Sequence, residues 1–233
     1  MQTRPGKFRF DEPQTIVAAA PPAVASHGRP SGEGRGDDRR AFLRGFLAHP
    51  REVGSVVPSS RFLERLLVRA AGIAQARTIV ELGPGTGGTT RAMLRAAGPH
   101  ARLLAIELSP QFHGRLRRQL ADARLLLKLG SAEQIEDFLG DSRLPPPDAV
   151  VSGIPFSTMP AEVADRIAAA VARCLAPGGR FVAYQVRAHV AGFVAPYLGE
   201  PETSWEWRNV PPVRVFRWVK PQAALDRKRQ SVG

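Results

Sequence analysis

Short apolar runs alternate with amphipathic stretches along most of the chain after residue 77. The apolar runs have the length of buried strands, and the stretches between them repeat apolar residues at the 3.6-residue period of a helix. This alternation is typical of a parallel sheet with helices on both faces. The predicted strands are 78–82, 103–107, 125–129, 149–152 and 180–185, and the predicted helices are 89–97, 112–121, 133–139 and 162–175.

Two further strands are predicted near the end of the chain. Residues 204–210 and 213–219 flank the pair Pro211-Pro212, as expected of an antiparallel pair that closes the sheet. The predicted fold class is therefore α/β, with a Rossmann-like, seven-stranded, mostly parallel sheet, helices on both faces and amphipathic helices before it.

Those two amphipathic helices precede the first strand. The first carries Phe42 and Phe46 on one arc, and Arg40 and Arg44 on the opposite side. The second covers residues 61–71 and follows serines that can cap its first turn.

Length and composition favour a water-soluble domain with a polyanionic partner. A chain of 233 residues is long enough for one α/β domain, and it lacks an uncharged apolar run of the roughly 20 residues that span a bilayer. The net charge of +12 points to nucleic acid or to an anionic lipid surface, without deciding between them. The single cysteine, Cys174, is expected to be a buried structural thiol.

A glycine-rich turn follows the first predicted strand. The segment Glu81-Leu82-Gly83-Pro84-Gly85-Thr86-Gly87 leads from a strand into a helix. Glycines remove Cβ atoms where backbone must approach a ligand, so a small-molecule carboxylate or ribose can lie against main-chain N–H groups. Such a turn alone is a weak signal, because many tight loops contain glycine.

An acid at the end of the second strand strengthens this interpretation. Glu107 follows the turn by about the 20 residues at which nucleotide-binding sheets place a carboxylate on ribose hydroxyls. The dinucleotide fingerprint Gly-x-Gly-x-x-Gly is absent from the turn, since its glycines alternate and a carboxylate precedes them. NAD is thus disfavoured.

The turn, Glu107 and the segment Gly130-Ser131-Ala132-Glu133 together resemble the class I methyltransferases that use S-adenosylmethionine (SAM). The resemblance covers about residues 77–220 and implies SAM as the cofactor. It also implies that Glu81 and the loop glycines hold the methionine portion, Glu107 the ribose, and Ser131 and Ala132 the adenine.

Three further segments resemble one particular family within this class. They are Gly54-Ser55-Val56-Val57-Pro58-Ser59-Ser60-Arg61, Ser152-Gly153-Ile154-Pro155-Phe156-Ser157-Thr158-Met159-Pro160 and Asn209-Val210-Pro211-Pro212. Together they resemble the bacterial phospholipid N-methyltransferases, which convert phosphatidylethanolamine stepwise to phosphatidylcholine. In that family the segment before the sheet forms a lid and contacts membrane. The resemblance implies a cytoplasmic protein bound peripherally to the inner face of the cytoplasmic membrane.

The segment at Gly153 bears on the choice of substrate. Enzymes that methylate amines of nucleic-acid bases carry Asn or Asp where this chain has Gly153. Glycine has no side-chain oxygen to accept a hydrogen bond from the exocyclic amine, so nucleic acid is disfavoured as the substrate. An RNA adenine N6-methyltransferase, such as one acting on rRNA, remains the alternative because of the positive charge.

Methyl transfer from a sulfonium chiefly requires that amine, methyl and sulfur be aligned and water excluded. The amine must arrive unprotonated, which costs roughly 4 to 5 kcal/mol at neutral pH if its pKa is near that of lysine. Tyr184, at the end of the fifth strand, is the predicted catalytic residue. His189, which is expected to lie on the surface, and Glu200 or Glu202 are the alternatives.

The predicted chain organisation is a loosely attached arm at 1–38, lid and membrane-contact helices at 39–71, a SAM-binding domain at 72–220 and a basic tail at 221–233. No metal site is predicted. The predicted cofactor-binding residues are Val57, Pro58, Glu81, Gly83, Pro84, Gly85, Thr86, Gly87, Glu107, Leu108, Ser131, Ala132, Gly153 and Ile154. The predicted substrate or membrane residues are Arg40, Phe42, Arg44, Phe46, Pro155 and Phe156.

Overall fold

A computed structural model describes residues 59–222. The strands are β1 (Thr78–Leu82), β2 (Arg102–Glu107), β3 (Leu125–Leu129), β4 (Ala149–Ser152), β5 (Arg180–Gln185), β6 (Glu202–Glu206) and β7 (Val213–Val219). The helices are α1 (Arg61–Ala71), α2 (Gly88–Ala96), α3 (Pro110–Gln119), α4 (Ile135–Asp141), α5 (Ala161–Cys174) and α6 (His189–Leu198). Two single 3-10 turns cover Ala132–Gln134 and Phe156–Thr158.

The seven strands form one sheet in the order β3-β2-β1-β4-β5-β7-β6. β1 to β5 are parallel, and β7 runs antiparallel to both of its neighbours. The predicted Rossmann-like fold is confirmed. Because the five parallel strands end at the same side of the sheet, the loops that follow them meet at one edge, which we call the carboxyl edge.

The core has two layers, one on each face of the sheet. β1 is buried along its whole length, as expected for a central parallel strand. Leu63 and Leu67 of α1 and Met93 of α2 pack on one face, whereas α4, α5 and α6 cover the other. Within residues 59–222, no helix has the length and apolar character needed to cross a bilayer.

Helix α1 confirms the second of the two amphipathic helices. The Ser60 hydroxyl accepts a hydrogen bond from the Leu63 N–H at 3.2 Å, which caps the first turn. The helix ends at Gly72, whose φ of 65° suits glycine in a left-handed C-cap. The first predicted helix, with Arg40, Phe42, Arg44 and Phe46, lies outside the described residues.

The predicted strand at 204–210 is wrong in its second half. β6 ends at Glu206, because the Glu206 carboxylate accepts the Arg208 N–H at 2.9 Å. The Asn209 side chain then bonds to the Pro211 carbonyl at 2.9 Å. These side-chain bonds replace the strand ladder, so residues 207–212 form the connection of the β6–β7 hairpin.

Cys174 is half-buried rather than fully buried as predicted, because it lies in the last turn of α5. Its thiol donates to the Val171 carbonyl at 3.5 Å. Burial raises the pKa of the Cys174 thiol to about 12, so the group stays a neutral thiol at physiological pH.

Candidate active site

The loop after β1 has the backbone that its glycines predict. Gly83, Gly85 and Gly87 have φ values of 72°, 54° and 81°, in the left-handed region that favours glycine. A Cβ on Gly87 would also lie 2.5 Å from the Cδ2 atom of Leu116. The loop therefore has to be glycine-rich, and it leads directly into α2, so its amides and the first turn of that helix lie together at the carboxyl edge.

Glu107 connects this loop to the end of β2. Its Oε2 atom accepts the Gly85 N–H at 3.0 Å, and its Oε1 atom accepts the Ser109 N–H at 2.8 Å. Burial raises the pKa of Glu107, and the N–H groups of Ser109 and Gly85 oppose that rise. The two parts of the predicted cofactor site are thus in direct contact.

Glu81 is a second buried carboxyl group at the same place. Only 2% of its surface is exposed, and Thr90 Oγ1 donates to its Oε2 atom at 2.6 Å. Burial raises the pKa of Glu81 to about 8, the Thr90 bond opposes this, and the charge of Glu107 adds to it. Two neighbouring buried carboxyl groups favour a ligand that carries a cation and hydroxyl groups.

The end of β3 extends this site past Glu107. The Gly130 N–H donates to the Glu107 carbonyl at 3.0 Å, which places Ser131 and Ala132 beside the end of β2. The Ser131 hydroxyl caps the following 3-10 turn through the Glu133 N–H at 3.3 Å. Leu108 is half-buried at the end of β2 and supplies apolar surface next to them.

The end of β4 closes the other side of the loop. The Gly153 N–H donates to the Leu82 carbonyl at 3.0 Å. The Ile154 Cγ1 atom lies 3.2 Å from the point where a Cβ on Gly83 would sit. Pro155 is half-buried, but Phe156 is only 1% exposed and packs in the core near Phe193, with ring centroids 6.3 Å apart. Contact between Phe156 and the substrate stays a prediction, and the ring offers almost no free surface here.

Tyr184 reaches the same point from β5. Its hydroxyl oxygen lies 2.5 Å from the position that a Cβ on Gly153 would occupy. Burial raises the pKa of the phenol above its usual value, and the nearby hydroxyls of Thr89 and Ser59 oppose that rise. Tyr184 therefore stays a neutral phenol at physiological pH, and its hydroxyl can both donate and accept a hydrogen bond.

Gln185 is a site residue that the sequence reasoning missed. Its Nε2 atom donates to the Ile154 carbonyl at 2.7 Å, and its side chain is 8% exposed. Its Oε1 atom is buried and has no hydrogen-bond partner within residues 59–222. A polar residue ending the apolar strand β5 was the available signal, because such positions lie at the carboxyl edge.

Most of the predicted cofactor residues meet at this edge, namely Glu81, Gly83, Pro84, Gly85, Thr86, Gly87, Glu107, Leu108, Ser131, Ala132, Gly153 and Ile154. Val57 and Pro58 lie outside the described residues, as does the segment that contains Arg40 and Phe46. His189 is exposed at the start of α6, as predicted. In residues 59–222, no group of three or more His, Cys, Asp or Glu side chains is arranged to hold a metal ion.

The contact between Gly153 and Tyr184 gives a testable prediction. Gly153→Ala is expected to lower the free energy of unfolding by about 1 to 3 kcal/mol, because the new methyl group would overlap the phenol oxygen. Adding Tyr184→Phe removes the closest of the overlapping atoms and is expected to restore part of the loss, measured by urea denaturation. The ring carbon at 3.0 Å and the Gly83 carbonyl oxygen at 3.2 Å remain close to the new methyl group. Equal losses in the single and double variants would show that the phenol is not what requires glycine at 153.

Comparison with known proteins identifies relatives of this chain. The family model described as "Methyltransferase domain" matches residues 79–179. The ornithine lipid N-methyltransferase of Singulisphaera acidiphila is 31% identical over 177 residues, which are 75% of this chain and 92% of that protein. The residues matched by the family model contain the ends of β1 to β4 and the loops that follow them, whereas β5, with Tyr184 and Gln185, begins after residue 179.

Solved structures agree on the fold. The 1,6-didemethyltoxoflavin-N1-methyltransferase of Burkholderia thailandensis, bound to S-adenosylhomocysteine (SAH), has a TM-score of 0.58, 14% identity and coverage of 85% of this chain and 94% of that one. The N-methyltransferase NodS of Bradyrhizobium japonicum with SAH has a TM-score of 0.56 and 17% identity, and the match covers 76% of this chain and 98% of that one. The O-methyltransferase TomG of Streptomyces achromogenes with SAM has a TM-score of 0.56, 20% identity and coverage of 76% and 89%.

Proposed function

This chain belongs to the SAM-dependent methyltransferases, and from that premise we propose that it methylates the headgroup amine of a membrane lipid. The proposed substrate is phosphatidylethanolamine, together with its methylated intermediates on the way to phosphatidylcholine. The reaction would take place at the inner face of the cytoplasmic membrane. The cofactor is SAM, and the product is SAH.

The relationship to a lipid N-methyltransferase carries the proposal. The Singulisphaera protein is named for an ornithine lipid, and the 31% identity extends over 75% of this chain and 92% of that protein. Ornithine lipids and phosphatidylethanolamine both present a primary amine at the end of a lipid headgroup. The three segments that resemble phospholipid N-methyltransferases favour phosphatidylethanolamine between these two.

The described residues fit the cofactor in charge and hydrogen bonding. Glu81 and the loop amides suit the ammonium and carboxylate of the methionine portion, and Glu107 suits the ribose diol. Ser131 and Ala132, with the half-buried Leu108, suit the adenine. When bound there, the cofactor supplies a methyl group on an electrophilic sulfonium.

In this proposal, Tyr184 and Gln185 of β5 orient the amine. Neighbouring strand residues point to opposite faces of a sheet, yet these two side chains reach adjacent residues of the loop after β4. Tyr184 lies against Gly153, and Gln185 donates to the Ile154 carbonyl. The Tyr184 oxygen and the Gln185 Oε1 atom are acceptors for amine N–H groups. Holding the neutral amine in this way directs its lone pair and offsets part of the cost of deprotonation.

The same geometry speaks against a nucleobase. Gly153 has no side chain, and the Tyr184 hydroxyl fills the space where an Asn or Asp side chain would begin. The contact that base amines require is therefore missing at this position. A lipid amine, which is flexible and sp3-hybridised, does not need a planar acceptor there.

Tyr184→Phe tests the orienting role. We expect kcat for the lipid to fall about tenfold, the size of one lost neutral hydrogen bond in the transition state, with the affinity for SAH unchanged. A purely structural role would instead lower the affinity for SAH and the unfolding temperature together. Calorimetric titration with SAH beside steady-state kinetics separates these outcomes.

The function itself is tested with radiolabelled SAM and three acceptors. Vesicles contain phosphatidylglycerol with either phosphatidylethanolamine or an ornithine lipid, and the third acceptor is a structured RNA. We expect label in methylated phosphatidylethanolamine, identified by chromatography. Label confined to the ornithine lipid would leave the lipid reaction but overturn the proposed substrate, and label confined to RNA would overturn both.

A further inference from the structure

The β6–β7 hairpin exposes large apolar side chains at its tip. Val210 is 87% exposed, Trp207 is 67% exposed and Trp205 is 39% exposed. Isolated apolar residues are common on protein surfaces, but a group that includes two tryptophans indicates an interaction site. We call Trp205, Trp207 and Val210, together with Arg61, Arg65 and Arg208, the hairpin surface.

The tryptophans are held in a fixed arrangement. Their rings stack with centroids 4.7 Å apart and an angle of 14° between planes. The Arg214 guanidinium, directly opposite Trp205 in the strand register, lies 4.5 Å from the Trp205 ring centroid. The tip therefore presents rigid indole rings beside a cation, the combination that suits the boundary between lipid headgroups and acyl chains.

The side of the hairpin that faces α1 is basic. Arg208 lies 4.2 Å from the centre of the Phe62 ring, and Arg61 and Arg65 lie 4.9 Å and 5.9 Å from it. Glu206 pairs with Arg208 at 2.9 Å, whereas Arg61 and Arg65 are exposed on α1. The net charge of this side is positive, in line with the +12 of the whole chain.

The hairpin surface lies at the same edge as the candidate active site. β7 is antiparallel to β5 and pairs Arg214 with Gln185, so the hairpin tip lies at the carboxyl edge. The buried Asn209 fastens the tip, because its Oδ1 atom accepts the Ser60 N–H at 3.0 Å. Ser59, the preceding residue, contacts Thr89 at the start of α2 at 3.3 Å.

From this placement we propose that the hairpin surface docks on an anionic lipid bilayer and so presents the headgroups to the active-site edge. This docking role rests on the proposed function, because a membrane lipid as the substrate requires the protein to contact a bilayer. Trp207 and Val210 enter the interface, and Arg61, Arg65 and Arg208 contact lipid phosphates. None of these residues belongs to the predicted membrane helix with Phe42 and Phe46, which lies outside the described residues.

The geometry favours lipid over nucleic acid. The Trp205 ring already contacts Trp207 and the Arg214 guanidinium, which leaves little of its face for stacking on a base. Val210, the most exposed of the large apolar residues in the described chain, has no role in binding a phosphate backbone. Both features are useful in a membrane interface.

The test compares a double variant of the full chain with a single control variant. Trp207→Ser with Val210→Ser removes the apolar tip, and Val219→Ser removes a 43% exposed valine at the opposite edge of the sheet. Sedimentation uses vesicles of phosphatidylcholine and phosphatidylglycerol in equal parts. We expect the lipid concentration for half-binding to rise about tenfold for the tip variant and less than about twofold for Val219→Ser.

Three results would overturn the proposal: unchanged vesicle binding by the tip variant, an equal loss in Val219→Ser, or loss of binding to a structured RNA with vesicle binding intact. Unchanged SAH affinity in the tip variant shows that it has folded. An assay with phosphatidylethanolamine dispersed in detergent separates the docking role from the proposed function. The tip variant should methylate this dispersed lipid at the wild-type rate, because no bilayer has to be bound. If wild type methylates neither micelles nor vesicles, the proposed function fails, while the sedimentation shift still decides the docking surface.

Discussion

The Glu107→Gln variant is expected to bind SAH about 10- to 100-fold more weakly than wild type. A carboxylate accepts both ribose hydroxyls, and hydrogen bonds to a charged group are worth about 1.5 to 3 kcal/mol. An amide of the same size offers one acceptor in place of two. It also turns an N–H donor towards the Gly85 or Ser109 N–H, each of which now bonds to a Glu107 oxygen.

Isothermal titration with SAH measures this effect, and Glu162→Gln is the matched control. Glu162 is an exposed acid in the first turn of α5, so its neutralisation changes net charge equally without touching the site. We expect the control to bind SAH as wild type does. Affinity within twofold of wild type for Glu107→Gln would show that the carboxylate does not hold the ribose.

Glu81→Gln is expected to stabilise the ligand-free protein at alkaline pH while weakening its affinity for SAH. Burial raises the pKa of Glu81 from 4.5 to about 8. A raised folded-state pKa means stability that is fully present below pH 4.5 and is lost as pH rises through 8. Between pH 5 and 8 the wild-type free energy of unfolding should thus fall on the order of 3 kcal/mol through this group.

Urea denaturation at a series of pH values measures the stability, and titration with SAH measures binding. The glutamine variant should lack this part of the pH dependence, because it has no proton to lose. For wild type, affinity for SAH should rise between pH 6 and 8, since the ligand ammonium prefers the ionised carboxylate. A glutamine variant with the wild-type pH profile in both measurements would contradict the assignment of Glu81.

The elements that leave a local pattern of residue types were predictable from the sequence. β1, β3, β4, β5 and β7 begin and end at the predicted residues, because their apolar residues form short runs bounded by turn residues. The glycine loop and Glu107 were found because backbone conformation and strand-end position leave a residue-type signature. Their mutual hydrogen bond follows from the topology that places β1 beside β2.

Other features depend on contacts between residues far apart in the chain. The requirement for glycine at 153 comes from the Tyr184 hydroxyl, which a local pattern does not reveal. The early end of β6 depends on side-chain bonds made by Glu206 and Asn209. Gln185 was missed because a glutamine at a strand end has no distinctive spacing, and only its buried Oε1 atom distinguishes it.

The Asn209–Ser60 hydrogen bond joins positions 149 residues apart in the sequence. It makes the start of α1 and the end of the sheet a single mechanical unit beside the catalytic edge. Because the donor is the Ser60 backbone N–H, the bond depends on the side chain of Asn209 alone and survives any substitution of Ser60 except proline. A hairpin grafted onto a related scaffold therefore keeps this attachment only where it meets a free backbone N–H at the start of the helix, whatever side chain that residue carries.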